Sequence, residues 1–197
     1  MHSLSVMLKP ASGQCNMHCD YCFYCDEMEQ RAQASYGFMS EETLQNVIRK
    51  TMLNADREIS FSYQGGEPTL AGLAFFEKAV ELQRKYNRKG IRVHNALQTN
   101  GYALNEKWCK FFVRHQFLIG LSIDGVQETH DVYRHGRMLQ DKEQRTEQSR
   151  FRIPIESETC ETDIVQGRKN QTYERALHAA DLLARCGVDF NILTVVN

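Results

Sequence analysis

The sequence lacks an excess of charge of either sign. Its 24 basic and 25 acidic residues leave a formal net charge of −1, so no basic field argues for nucleic acid or an anionic membrane as partner. It lacks any apolar run of transmembrane length. The opening "MHSLSVMLKP" lacks the charged stretch and long apolar stretch of a secretion leader. A cytoplasmic location is therefore the expectation. The even spread of cysteines that staples small secreted domains is missing too. Seven cysteines is an odd number, and four of them crowd into one run. Without a secretion signal, clustered cysteines point to metal binding or redox chemistry. What remains is an ordinary globular composition, 42% hydrophobic and 25% charged over 197 residues. That suffices for one domain with a sizeable core.

Strand-like and helix-like segments alternate along the chain. "LSVML" (Leu4–Leu8) is a short apolar run. "SEETLQNVIRKTML" opens on Ser40 as N-cap, with acids in the first turn and Leu44, Val47, Ile48 and Met52 on one helical face. "EISFSY" alternates at strand period, and "AGLAFFEKAVELQRKY" gathers Leu73, Phe76 and Val80 on one side. "IRVHNAL" reads as a strand, "NEKWCKFFVRHQ" as a helix capped by Asn105, and "FLIGLSID" as a buried strand. "TYERALHAADLLARCG" is a helix that stops at Gly187, and "VDFNILTVV" is a last strand. Repeated βα units imply an α/β fold with a parallel sheet and outer helices. Such folds place chemistry at the C-terminal ends of their strands. Here those ends read "KPASGQC", "QGGEP", "QTNG" and "SIDG", four polar or glycine-rich loops on one rim.

The first of these loops continues into "KPASGQCNMHCDYCFYCDE", with Cys15, Cys19, Cys22 and Cys25 inside it. Three thiolates spaced C-x3-C-x2-C on one loop can hold three corners of a 4Fe–4S cube and leave one iron open to a ligand. All four would complete a zinc site by count, but such sites usually gather cysteines as two separated pairs. Cys25 then reads as a passenger near the cluster. In "QGGEP", Gly65 and Gly66 remove side chains where a ligand must come close. The loop is equally legible as a tight turn. Asp-Gly in "SIDG" and Asn-Gly in "QTNG" are likewise strong turn pairs. His18 lies inside the cysteine loop. His94, His115, His130, His135 and His178 show no metal spacing and read as surface or core residues. Cys109 and Cys186 read as small buried hydrophobes, and Cys160 carries no assignment.

C-x3-C-x-aromatic-C after a first strand resembles the radical S-adenosylmethionine (SAM) superfamily. "QGGEPTLAGLAFFEKAVELQRKYN", "LQTNG" and "GLSIDG", in this order, further resemble the anaerobic sulfatase-maturating enzymes. The likeness runs from Leu4 to Arg134 and resumes from Thr172 to Val196. It implies that Cys15, Cys19 and Cys22 hold the 4Fe–4S cluster, whose open iron chelates SAM. Reductive cleavage of SAM then yields a 5′-deoxyadenosyl radical, with the protein orienting the cofactors and excluding water. It also implies cofactor-binding roles for Gly65, Gly66, Glu67, Ser122, Asp124 and Arg134. Tyr24, Gln64, Gln98 and Asn100 are candidates for the substrate pocket. The implied reaction oxidises a cysteine or serine of a sulfatase to formylglycine. The implied partners are a sulfatase polypeptide and an electron donor such as flavodoxin or ferredoxin.

The resemblance frames the fold as a partial (β/α) radical SAM barrel of about five parallel strands with outer helices. Residues 1–136 form the N-terminal part of that core. Residues 137–171 form a charged insert without period, read as a loop or disordered stretch. Residues 172–197 supply the next helix and strand. Five strands cannot close a barrel, so the chain is expected to be part of a larger enzyme. The family's general base and its auxiliary iron–sulfur cluster domain are not among these residues. Three rivals stand beside this reading: another peptide-modifying member of the superfamily, a non-catalytic zinc module, and an inactive truncated gene product.

Overall fold

The computed structural model describes residues 3–136 and 171–196. The charged stretch expected over 137–171, with Cys160, lies outside the described residues apart from Gln171. Five parallel strands form the main sheet: β1 (Leu4–Leu8), β3 (Glu58–Tyr63), β4 (Arg92–Thr99), β5 (Phe117–Ser122) and β7 (Phe190–Leu193), hydrogen-bonded in that order. Between them run α2 (Glu41–Asn54), α3 (Leu73–Tyr86), α4 (Glu106–His115) and α6 (Thr172–Arg185). The sequence marked α2 and α3 by their apolar period, α4 by its Asn105 cap and α6 by its stop at Gly187. Ser40 caps α2 by accepting from the Thr43 N–H, and Asn105 caps α4 by accepting from Lys107 and Trp108. Gly187 follows α6 at φ +70°, the left-handed residue that ends the helix.

Alternation along the strands separates two faces. Ile59, Phe61 and Tyr63 on β3, Leu97 on β4, and Phe117, Ile119 and Leu121 on β5 are buried under the helices. There they meet Leu44, Ile48 and Met52 of α2, Phe76 of α3, and Trp108 and Phe112 of α4 in one core. Tyr63 and Phe76 pack edge-on at 5.1 Å, and Phe76 meets Trp108 at 5.3 Å. A polar knot crosses this core. Gln83 donates to Asn95 and to the Tyr63 hydroxyl, and Asn95 donates back to Gln83. The opposite face carries small and polar side chains at the alternate positions, among them Ser62, Ala96, Gln98, Gly120 and Ser122. Met7, Leu118 and Leu193 stand exposed on it.

Four further elements carry no apolar period strong enough to read in advance. They are β2 (Met17–Cys19), α1 (Phe23–Gln30), α5 (Gln127–Tyr133) and β6 (Arg134–Gly136). β2 and β6 form an antiparallel ribbon that sets Cys19 opposite Arg134 and His18 opposite His135. The cysteine loop is thereby paired to a segment far along the chain. No helix among the described residues is long and apolar enough to cross a membrane.

Candidate active site

The ends of β1, β3, β4 and β5 share one rim, and the loops that leave them interlock. Gly65 and Gly66 were expected to make room for a ligand, but their immediate neighbour is the cysteine loop. A Cβ on Gly66 would fall 2.1 Å from the Gln14 carbonyl oxygen, and one on Gly65 would meet the Lys9 side chain at 2.9 Å. Both glycines have positive φ, +105° at Gly65 and +54° at Gly66. The Glu67 N–H donates to the Gln14 carbonyl at 2.8 Å, sealing the contact.

Glu67 points inward and is 1% exposed. Oε1 accepts from the Thr69 N–H (3.0 Å), the Thr69 hydroxyl (2.7 Å) and the Thr99 hydroxyl (2.8 Å). Oε2 accepts from the Asn100 N–H at 2.8 Å. Burial raises its pKa, and these four donors oppose that rise. Its carboxylate therefore joins the loop after β3 to the loop after β4. Asn100 extends the chain of contacts. Its side-chain amide donates to Asn16 at 2.8 Å and lies 3.8 Å from the Cys15 sulfur.

Cys15, Cys19 and Cys22 are free, half-buried thiols. Burial pushes Cys15 up to about 12, reinforced by the negative charge of Glu67 and by Cys19 and Cys22. The Met17 N–H, donating to the sulfur at 3.4 Å, opposes this. Cys19 is raised to about 11, again first by burial, with Arg134 pulling down and Cys22, Asp124 and Cys25 pushing up. The three thiols thus lie within electrostatic reach of one another. Cys22 is the residue just before α1, and its N–H donates to the Cys19 carbonyl at 2.9 Å. The Cys25 sulfur lies 3.7 Å from Nδ1 of His18. Among the described residues, no three His, Cys, Asp or Glu side chains converge on a single metal ion. Three soft thiol donors on one loop fit an iron–sulfur cluster, which spreads its ligands over several irons.

Asp124 and Arg134, both expected at the cofactor, bind each other. Nε of Arg134 donates to Oδ2 at 2.6 Å and Nη2 to Oδ1 at 3.0 Å, with both side chains buried. The Tyr21 hydroxyl also donates to Asp124, and the Val195 N–H does so at 3.0 Å. Burial alone would raise the Asp124 pKa. The hydrogen bonds from Arg134, Tyr21 and Val195 outweigh it and hold the carboxyl below its usual value. Ser122 is buried at the end of β5 opposite Leu193. Gln98 lies opposite Gly120 on the uncovered face. Burial raises the Tyr24 pKa, with Cys22 adding to the rise and Gln64 opposing it, and the Lys9 ammonium sits 4.7 Å over the Tyr24 ring. Of the expected site residues, Glu67, Asn100 and Cys15 form one linked group, and Cys19, Asp124 and Arg134 form another. Tyr21, Asn16, Thr69 and Thr99 were missed. Only Tyr21 had a signal, as the aromatic residue of the cysteine motif.

The sequence model of the radical SAM superfamily matches residues 10–197. The chain belongs to the radical SAM superfamily. Among curated relatives, the cysteine-type anaerobic sulfatase-maturating enzyme of Clostridium perfringens is 40% identical over 196 residues. That alignment takes in the whole of this chain and 45% of the relative. The serine-type anaerobic sulfatase-maturating enzyme of Klebsiella aerogenes is 34% identical over 195 residues, with 98% of this chain and 40% of the relative covered. This radical SAM chain thus spans less than half the length of both. The solved structure of native anSMEcpe with bound AdoMet and Cp18Cys peptide superposes with a TM-score of 0.76 at 38% identity. It covers 99% of this chain and 44% of that one.

Proposed function

We propose that this chain is the radical SAM portion of an enzyme that oxidises a cysteine or serine of a sulfatase to formylglycine. The observation that carries the chemistry is the packing of Gly65 and Gly66 onto the cysteine loop. It sets the loop after β3 against the loop that carries the three thiols, and Glu67 ties the loop after β4 to the same rim. The likeness to sulfatase-maturating relatives of both types supports the substrate class. Cys15, Cys19 and Cys22 would hold a 4Fe–4S cluster, and SAM would bind its open iron. Bound together, the two supply reductive cleavage of SAM to a 5′-deoxyadenosyl radical.

The chain's own residues bind, orient and shield. Backbone groups of Gly65 and Gly66 and the Ser122 side chain are the proposed cofactor contacts. For Glu67 and Asp124 the proposed role departs from the first expectation. Their oxygens are engaged by protein donors, so they hold loops in place. Arg134 is anchored by Asp124, which orients its guanidinium at the site. Gln98, Gln64, Tyr24 and Asn100 are the proposed contacts for a substrate peptide. A one-electron donor such as flavodoxin or ferredoxin and a cytoplasmic setting complete the proposal.

The test is anaerobic reconstitution of the protein with iron and sulfide, followed by metal counting and low-temperature EPR with and without SAM. The expected result is about four irons per chain and a reduced-cluster signal that changes when SAM is added. Cys25→Ser should leave both unchanged, whereas Cys19→Ser should abolish them. One tightly held zinc and no iron would overturn the reading. Formation of formylglycine in a sulfatase peptide, followed by mass spectrometry on the whole enzyme, tests the substrate. Modification of other peptides alone would favour a different peptide-modifying member of the superfamily.

A further inference from the structure

Asp124 is where four separate segments meet. An ionised carboxylate offers about four acceptor positions, and all are taken. Oδ1 accepts from Arg134 Nη2 and from the Val195 N–H, each at 3.0 Å. Oδ2 accepts from Arg134 Nε at 2.6 Å and from the Tyr21 hydroxyl. The backbone N–H of Asp124 itself donates to His130 Nδ1 at 3.2 Å. Tyr21 sits between Cys19 and Cys22. Arg134 is the ribbon partner of Cys19, and its guanidinium lies 5.6 Å from the centre of the Tyr21 ring. The Asp20 N–H reaches the Tyr133 carbonyl at 2.9 Å, so the loop is also held at the residue before Tyr21. Val195 belongs to the chain just leaving β7. One carboxylate, 2% exposed, therefore fastens the cysteine loop, the β6 ribbon and the exit of β7 together.

We propose that Asp124 and Tyr21 are positioning residues that clamp the cysteine loop to the ends of β5, β6 and β7. The clamp sets the placement of Cys19 and Cys22 before any metal arrives, and it ties cluster assembly to correct seating of the chain after β7. The proposal rests on the cluster reading for its purpose, but the clamp is a property of the metal-free protein as well. A hydrogen bond to a charged group contributes more to stability than one between neutral groups. Losing one arm should therefore change local opening by roughly tenfold or more.

The experiment compares Tyr21→Phe and Asp124→Asn with wild type and with Gln83→Leu, a control that disturbs the distant core. Amide hydrogen exchange is followed in the full protein, with and without reconstituted cluster. Iron loss to a chelator and SAM affinity are measured on the reconstituted form. Tyr21→Phe keeps the ring and removes one arm, so it remains informative if Asp124→Asn folds poorly. The expected result is exchange about tenfold faster over residues 17–25 and 133–136, matched by faster iron loss. Gln83→Leu should leave that segment and the iron unchanged. Wild-type exchange over 17–25 in Tyr21→Phe would overturn the clamp. Weaker SAM binding in Asp124→Asn, with exchange and iron loss at wild-type rates, would also overturn it and make Asp124 a ligand. A wild-type protein that takes up no iron would refute the cluster reading, while exchange in the metal-free protein still decides the clamp.

Discussion

Replacing Gly66 by alanine tests how the site is built, because Gly125 provides a matched control. The two glycines have nearly the same backbone, φ +54° at Gly66 and +56° at Gly125. Placing a Cβ in that left-handed region costs roughly 1–2 kcal/mol at either position. Their surroundings differ. A Cβ at Gly125 meets nothing within 4 Å, whereas one at Gly66 falls 2.1 Å from the Gln14 carbonyl oxygen and 2.8 Å from the Gly13 carbonyl carbon. These are backbone atoms, so relief requires the cysteine loop to move. Forced shifts of this kind typically cost about 1–3 kcal/mol. Gly66→Ala should then lose about 2–5 kcal/mol and Gly125→Ala about 1–2 kcal/mol. For a chain of this size the difference is about 2–12 °C in melting midpoint, at roughly 2–4 °C per kcal/mol. If the loop yields instead, the loss appears as faster iron release from reconstituted protein. Equal midpoints and equal iron retention in the two variants would refute the close packing of these loops.

Three further outcomes are expected. Glu67→Gln turns an amide N–H2 toward donors that now meet a carboxylate, and should lower stability by about 1–3 kcal/mol in urea titrations. Asp124 has a folded pKa held below the ordinary 3.8. The stability it contributes is fully present above that value and is lost as pH falls through the lower folded value. Asp124→Asn should accordingly flatten the acid limb of a stability–pH curve. Cys15 at about 12 and Cys19 at about 11 stay protonated at neutral pH in the metal-free protein. Both should be alkylated slowly by iodoacetamide there. Because an unfolded thiol titrates near 9.0, their contribution to stability is lost as pH rises through the folded values. Alkylation of Cys15 at the rate of a free cysteine would contradict its burial.

Much of the frame was readable because it depends on local periodicity. The apolar faces of α2 and α3, the alternation of β3 and the caps at Ser40 and Asn105 all lie within a few residues of what they organise. The short elements were not readable. α1 buries none of its residues, so no apolar stripe announced it. β2 exists only by pairing with β6, and three residues of "MHC" carry no signal for a partner over a hundred residues away.

The site divides along the same line. Cysteine spacing is a local property, so the resemblance to radical SAM enzymes and the proposed cluster ligands could be read without coordinates. What Gly66, Glu67, Asp124 and Tyr21 do is not local. Gly66 is small because the backbone at Gln14 lies against it. Glu67 reaches Thr99, 32 residues on, and Tyr21 meets Asp124 across 103 residues. A carboxylate on a polar rim loop reads as a candidate ligand in one dimension. Only folding shows that its acceptor positions are already filled, because hydrogen-bond occupancy is decided by which distant donors the fold brings within 3 Å of it.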